Sequence, residues 1–329
     1  MKNARFRIPS WLLAATLALG VLPLSTPARA DAYPDKPIRI VVPFPPGGAV
    51  DILARLVGQR LGQQMNQSII VENRSGANGS IGNEYAARSA PDGYTLLLGS
   101  NGMATNPFLY PKRAFSELTD LAPIAFLGSS PLIMVVPANS PYKSLKDVVK
   151  AAQSDPTKVT YASAGPGSSA HLGSELLKSV TKTGMLHVPY KGGAPAIVDL
   201  SAGRVSFMLL DPPQVVPQIK AGRLRPIVVA GRSRLPLLPD VPSATDAGYP
   251  DYEAIVWWGF MAPKGVPAGV VARLNKEINT ALASDEVKKV LDGMGVVTNP
   301  GTPEQFGAFI GAQAKQSSAI IKEAGITAD

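Results

Sequence analysis

Strand-like and helix-like hydrophobic spacing alternate along most of the chain. Ile38 to Val42 is an apolar run, a Pro/Gly turn follows, and Ile52, Leu53, Leu56, Val57 and Leu61 then recur at helical spacing. The same reading predicts strands at 68–72, 95–98, 132–136, 159–162, 186–188, 205–210 and 225–230. Helices are predicted at 81–89, 144–154, 170–180, 194–202 and 214–221, most units closing on Gly or Pro. Strands that alternate with helices pair in parallel and carry helices on both faces. The tail differs: 236–250 is a proline-containing connection, 254–261 is a strand with Trp257, Trp258 and Phe260, and helices follow at 268–283, 285–293 and 303–324. If this tail packs back on the first half, the chain crosses twice between two lobes, which makes a hinge above a cleft. The expected lobes are 31–131 with 233–329, and 132–232.

In such sheets ligands collect beyond the carboxyl ends of the strands. That directs attention to Phe44-Pro45-Pro46-Gly47-Gly48-Ala49-Val50, where a strand runs through a tight turn into a helix. The first amides of a helix have no intrahelical acceptor, and the helix dipole favours an anion beside them. The loop is read as half of a carboxylate site, although Asp51 in the first helical turn is placed to occupy those amides itself. A stability turn needing no ligand is the alternative for this stretch alone. Ser100 and Asn101, at the end of the 95–98 strand, are expected on the same edge. Val188-Pro189-Tyr190-Lys191-Gly192-Gly193-Ala194 echoes Val42 to Ala49: Val-Pro, an aromatic, then Gly-Gly-Ala opening a helix. Phe44 and Tyr190 are then candidates for contact with a ligand's carbon skeleton, or else two aromatics buried at strand ends.

The ends and the composition narrow the function. Lys2, Arg5 and Arg7 precede a short apolar run to Leu24, and Ala28-Arg29-Ala30 offers a signal-peptidase site; residues 1–30 are read as a signal peptide cleaved after Ala30. No later stretch approaches a membrane span, so the mature chain is expected to be exported and not membrane-inserted. Four basic residues and no acid leave with the signal (Lys2, Arg5, Arg7, Arg29), taking the net charge from +8 to +4. So small a surplus does not suggest nucleic acid. The absence of cysteine excludes disulfides, thiol catalysis and Cys-ligated metal. No His/Asp/Glu spacing suits a metal, and no phosphate-binding glycine motif follows a strand, so no metal or cofactor is expected. Trp257-Trp258 is assigned to core or hinge in preference to a sugar platform.

A family resemblance is carried by Tyr33-Pro34-x-Lys36-Pro37-Ile38-Arg39, Val42 to Gly48 with Asp51, Val71-Glu72-Asn73-Arg74 and Ala90-Pro91-Asp92-Gly93-Tyr94-Thr95. Tyr161-Ala162-Ser163, His187 to Gly192, Leu238-Pro239-Asp240-Val241-Pro242 and Met261-Ala262-Pro263 extend it. From about Tyr33 onward the chain resembles the Bug-type (TctC-like) periplasmic receptors of tripartite tricarboxylate transporters. The resemblance implies an α/β, two-lobed periplasmic-binding-protein-like fold (type II), each lobe a mostly parallel sheet flanked by helices. It also implies a second ligand loop at Ser163, Ala164, Gly165, Ser168, Ser169 and His171, with Ser168 and Ser169 as hydroxyl donors beside helix-start amides. After the 205–210 strand the resemblance implies a polar residue facing the ligand; here Leu209-Leu210-Asp211-Pro212-Pro213 is more apolar, with only Asp211 polar. An acid there meets a ligand amine or hydroxyl, or turns away, leaving the ligand's far end apolar, aromatic or amino-bearing.

The enzyme alternative is a secreted serine hydrolase acting on a small carboxylate ester, with Ser168, His171 and Asp211 as a triad. There is no Gly-x-Ser-x-Gly elbow, and His171 lies three residues after Ser168 at a helix start, so no catalytic residue is assigned. His187, inside a strand, is expected to be structural. The expectation is a monomeric periplasmic receptor for a small carboxylate (di- or tricarboxylate, aromatic acid or acidic amino acid), which closes on it and passes it to a membrane permease. A sensor that docks on a signalling partner is not distinguished from it.

Overall fold

The computed structural model describes residues 33–327; the signal segment lies outside the described residues. Strands and helices alternate through β1 (Ile38–Val42), α1 (Ala49–Met65), β2 (Ile69–Asn73), α2 (Ser80–Ala87), β3 (Thr95–Ser100), α3 (Gly102–Leu109), α4 (Glu117–Asp120) and β4 (Leu121–Pro131). The middle of the chain supplies β5 (Ile133–Pro137), α5 (Leu145–Ser154), β6 (Thr160–Ser163), α6 (Ser169–Thr181), β7 (Leu186–Pro189), α7 (Gly193–Ser201), β8 (Phe207–Leu210), α8 (Pro212–Lys220) and β9 (Leu224–Val229). The tail is β10 (Ile255–Pro263), α9 (Ala268–Ala283), α10 (Asp285–Gly293) and α11 (Pro303–Glu323).

Two five-stranded sheets result, in the orders β2-β1-β3-β10-β4 and β7-β6-β8-β5-β9. In the first, β1 pairs in parallel with β2 and β3, while β10 runs antiparallel to both β3 and β4. In the second, β6 pairs in parallel with β7 and β8, while β5 runs antiparallel to β8 and β9. Each sheet is therefore four strands in one direction with a single reversed strand. In both, that strand is the first one after the chain has come over from the other sheet. The two sheets match position for position, so the counterpart of the β1–α1 loop is the β6–α6 loop. The Gly-Gly echo instead pairs β1–α1 with β7–α7, and the internal repeat it suggested is not the repeat of the fold.

The two connections between the sheets, β4–β5 and β9–β10, meet in a ring of three backbone hydrogen bonds. Leu132 N donates to Ala254 O (2.8 Å), Ala254 N to Ala230 O (3.0 Å), and Ala230 N to Leu132 O (2.7 Å). The stretch 233–253, grouped from the sequence with the first lobe, runs beside β9: Val229 N donates to Pro242 O and Ala244 N to Val229 O.

The region 103–131, for which the pattern gives no element, holds α3, α4 and the eleven-residue β4. Pro123, Gly128 and Pro131 interrupt its strand pattern, but β4 lies at the sheet edge, where prolines are tolerated. The Asn106-Pro107 step reads as a turn, yet burial of Met103, Ala104 and Leu109 holds α3 together. β10 separates two cores. Trp258 and Phe260 join β1, β3 and α1 on one face; Trp257 and Met261 join Phe306 and Ile310 of α11 on the other. Both tryptophans are thus core residues, 0–1% exposed.

Candidate functional site

Gly47 turns the chain out of β1 with a positive φ of 80°, which a side chain would strain, and Gly48 caps α1 with extended backbone and no side-chain oxygen. The amides of Ala49, Val50 and Asp51 find no acceptor among the described residues. Asp51 takes the Gly47 amide (3.0 Å) and no more of the turn; its other partners are Arg55 (2.9 and 3.0 Å) and Asn73 Nδ2 (2.9 Å). Burial raises its pKa, but these hydrogen bonds outweigh burial and hold the carboxyl below its ordinary value. Asp51 therefore fixes the loop and leaves the α1 terminus free.

The β6–α6 loop repeats the arrangement with different means. Ser168 is the N-cap; its Oγ accepts from His171 N (3.4 Å) and donates to Gly165 O (2.7 Å). The Ser169 and Ala170 amides carry no hydrogen bond among the described residues, and neither does the Ser169 hydroxyl. Beneath the loop, Gly167 N donates to Nδ1 of the buried His171 (3.2 Å). Ser163 Oγ lies 2.6 Å from His187 Nε2, and the two imidazoles stack at 3.8 Å. Burial, with His187 and Lys178 nearby, pushes the pKa of His171 down to about 3; burial also lowers that of His187, so both rings are neutral at physiological pH. The Tyr161 hydroxyl and Lys178 both bond Glu175, closing a polar cluster under the loop.

Several side chains that the sequence reading gave to the ligand are engaged by the protein instead. Ser163 is fully buried, Ser168 is a cap, and His171 braces Gly167. Asn101 ties β3 to β10, with Nδ2 donating to Ile255 O and Oδ1 accepting from Trp257 N, both at 3.0 Å. The Tyr190 hydroxyl donates to Asp199 (2.8 Å). Asp211 caps α8 by accepting from Gln214 N (3.2 Å); burial pushes its carboxyl up against those hydrogen bonds. Pro212 and Pro213 have no N–H, so the α8 terminus offers no amide. Ser168, His171 and Asp211 accordingly form no triad, and the hydrolase geometry is absent from these residues.

The two loops are brought together through a residue the sequence reading passed over. Gly79 sits against Pro43 and Phe44, and Asn73 Nδ2 holds Phe44 O (3.1 Å). Next to Gly79, Asn78 Nδ2 donates across to Gly167 O (3.4 Å). Ser100 ends β3 and Asn101 follows it, three and four residues beyond Leu97, which pairs with Val41 just before the β1–α1 turn. The loop of Phe44, Pro46, Gly47, Gly48, Ala49 and Val50 is thus linked, through the turn at Asn78 and Gly79, to the loop of Ala164, Gly165, Ser168 and Ser169. The signal for Asn78 was the small polar run Gly76 to Ser80 at a strand end, the same signal that marked 99–102.

Two hollows lie elsewhere. One of about 280 Å³ borders Ala87, Phe115 and Lys264; one of about 530 Å³ lies over Gly58, Gly62 and Ile69. Neither contains a free helix start. No cluster able to hold a metal, and no helix long and apolar enough to cross a membrane, occurs among the described residues.

Comparison with known proteins bears on the fold and the family. Residues 53–326 match the profile of the tripartite tricarboxylate transporter family receptor. A protein from the tcbD–tcbE intergenic region of a Pseudomonas species is 39% identical over 317 residues, 96% of this chain and 94% of that one. Among solved structures, an R. palustris protein with adipate has a TM-score of 0.84 at 34% identity, covering 90% of this chain and 99% of its own. The periplasmic binding protein BugD gives 0.80 at 33%, covering 90% and 99%. MatC from Rhodopseudomonas palustris with bound malate gives 0.79 at 30%, covering 88% and 100%. The chain belongs to the tripartite tricarboxylate transporter receptor family, as a Bug-type (TctC-like) periplasmic solute-binding protein and not an enzyme.

Proposed function

We propose that the protein captures a small carboxylate between the α1 and α6 helix starts and delivers it to the membrane permease of a tripartite transporter. The ligand class is a di- or tricarboxylate, an aromatic acid or an acidic amino acid. The observation that carries this reading is the set of five unpaired amides, at Ala49, Val50, Asp51, Ser169 and Ala170, on equivalent loops of the two sheets. A charge-assisted hydrogen bond contributes roughly 1.5–3 kcal/mol. Three or four, offset by the ordering of two lobes, reach the roughly −8 kcal/mol of micromolar binding without an arginine. The relatives solved with adipate and with malate support a carboxylate. Phe44, Pro46, Gly47, Gly48, Ser100 and Ser169 line the site; Ser163 and His171 hold the β6–α6 loop, while Tyr190 and Asp211 are engaged at α7 and α8.

The lobes that close are 33–131 with the tail from β10, and 132–232 together with the stretch that follows β9. The mature periplasmic chain starts at Asp31 and acts as a monomer, which N-terminal sequencing and sedimentation test directly. The ligand itself is tested by a thermal-shift panel of mono-, di- and tricarboxylates, aromatic acids and amino acids, followed by calorimetry. At least one acid is expected to bind with micromolar affinity. If every acid leaves the melting curve unmoved, the reading fails.

A further inference from the structure

The link between the two loops runs through one residue of the segment between β2 and α2, Asn78. Asn78 is held in the left-handed region (φ 51°, ψ 39°). Its backbone O accepts from Asn106 Nδ2 (3.2 Å), and its own Nδ2 reaches Asn106 Oδ1 (3.1 Å), Thr105 Oγ1 (3.3 Å) and Gly167 O (3.4 Å). Asn106 is anchored in turn on the buried carboxylate of Glu117 (3.1 Å), which Arg113 pairs at 3.0 Å. A buried ion pair in the first half of the chain thus fixes an amide that points at the second half.

The receiving end is built to match. Gly167 has a φ of 72°, and a Cβ there would collide with Leu109 of α3. Leu109 also packs with Leu172 of α6 and Ile321 of α11 in a small apolar cluster. Gly167 lies two residues before Ser169, and its N–H is already spent on His171. Its carbonyl accepts from Asn78 Nδ2.

We propose that Asn78 is a positioning residue: through Gly167 O it latches the β6–α6 loop against the first sheet's helix starts, so closure has a component supplied by the protein itself. This deepens the receptor reading and rests on it, but its readout needs no ligand. The chain has no cysteine. The exposed Lys150 of α5 and Lys288 of α10 can therefore be replaced by Lys150→Cys and Lys288→Cys and labelled for single-molecule energy transfer. Asn78→Gly keeps the left-handed backbone and removes the amide, with its contacts to Asn106 and Thr105 of α3 as well as the one to Gly167. It is expected to lower the short-distance to long-distance population ratio by about three- to tenfold, the effect of the one hydrogen bond that crosses to Gly167, while the lost contacts to Asn106 and Thr105 lower the melting temperature without moving that ratio. Should Asn78→Gly melt early, Asn78→Asp, which keeps the size and sets a carboxylate against Gly167 O, is expected to produce the same shift. Unchanged distance distributions in a folded variant would overturn the latch. Adding adipate or malate to the labelled wild type examines closure on a ligand separately, so the two ideas can fail independently.

Discussion

At the scale of single residues, the site is made of backbone, and the nearby side chains hold that backbone still. Gly48 has ordinary φ, and a Cβ there meets nothing nearer than Pro45 O at 3.6 Å. A side chain at this position is therefore compatible with the fold but fills the approach to the Ala49 and Val50 amides. Gly48→Leu is expected to weaken carboxylate binding at least about tenfold in calorimetry, the loss of about one charge-assisted hydrogen bond, while the melting temperature stays within a degree or two. The stacked imidazoles give a second expectation. His171 and His187 have pKa values below those of the unfolded chain. The unfolded state binds their protons first, at about pH 6.5 and below. Their contribution is fully present above that pH and is lost as pH falls toward about 3 for His171. Glu175 opposes the shift at His187 and Lys178 reinforces it. Melting should thus be lower at pH 5 than at pH 7. His171→Asn, which offers Oδ1 to Gly167 N but does not titrate, should flatten that slope.

Among the elements, α11 shows how a distant segment supports the site. Thr302 and Gln305 form a capping box at its start, and Phe306 packs edge-on against Trp257 at 5.8 Å. Through Trp257 N, the same strand grips Asn101 at the end of β3. Phe306→Ala opens a cavity between α11 and the first sheet, and is expected to cost about 3–5 kcal/mol in urea unfolding. A loss below 1 kcal/mol would mean that α11 is not coupled to the sheet. The pattern predicted α9 and α10 with their observed bounds because each is amphipathic and punctuated at both ends. It missed β4 and α3 because proline and glycine mark breaks locally, whereas pairing along β10 and burial of Leu109 decide the outcome.

For the molecule as a whole, the ring at Leu132, Ala230 and Ala254 ties the two connections between the sheets together with three backbone hydrogen bonds. Such a junction permits rotation as a unit with little repacking of either sheet. A bound carboxylate that touches both α1 and α6 should reduce the radius of gyration in small-angle scattering, and Gly48→Leu should abolish that change. An unchanged radius with a tightly bound acid would place the binding energy outside closure.

The sequence by itself determined the α/β alternation and the glycine turn that opens α1, because hydrophobic period and turn residues are local signals. Its combination of short motifs pointed to the family and, through that resemblance, to the loop before α6. Only the tertiary structure decided which side chains are spent. Ser163, Asn101 and His171 look like donors in one dimension, but their partners, His187, β10 and Gly167, are set by chain packing. It also decided that Asn78 reaches Gly167, since a hydrogen bond between residues 89 positions apart leaves no trace in local spacing.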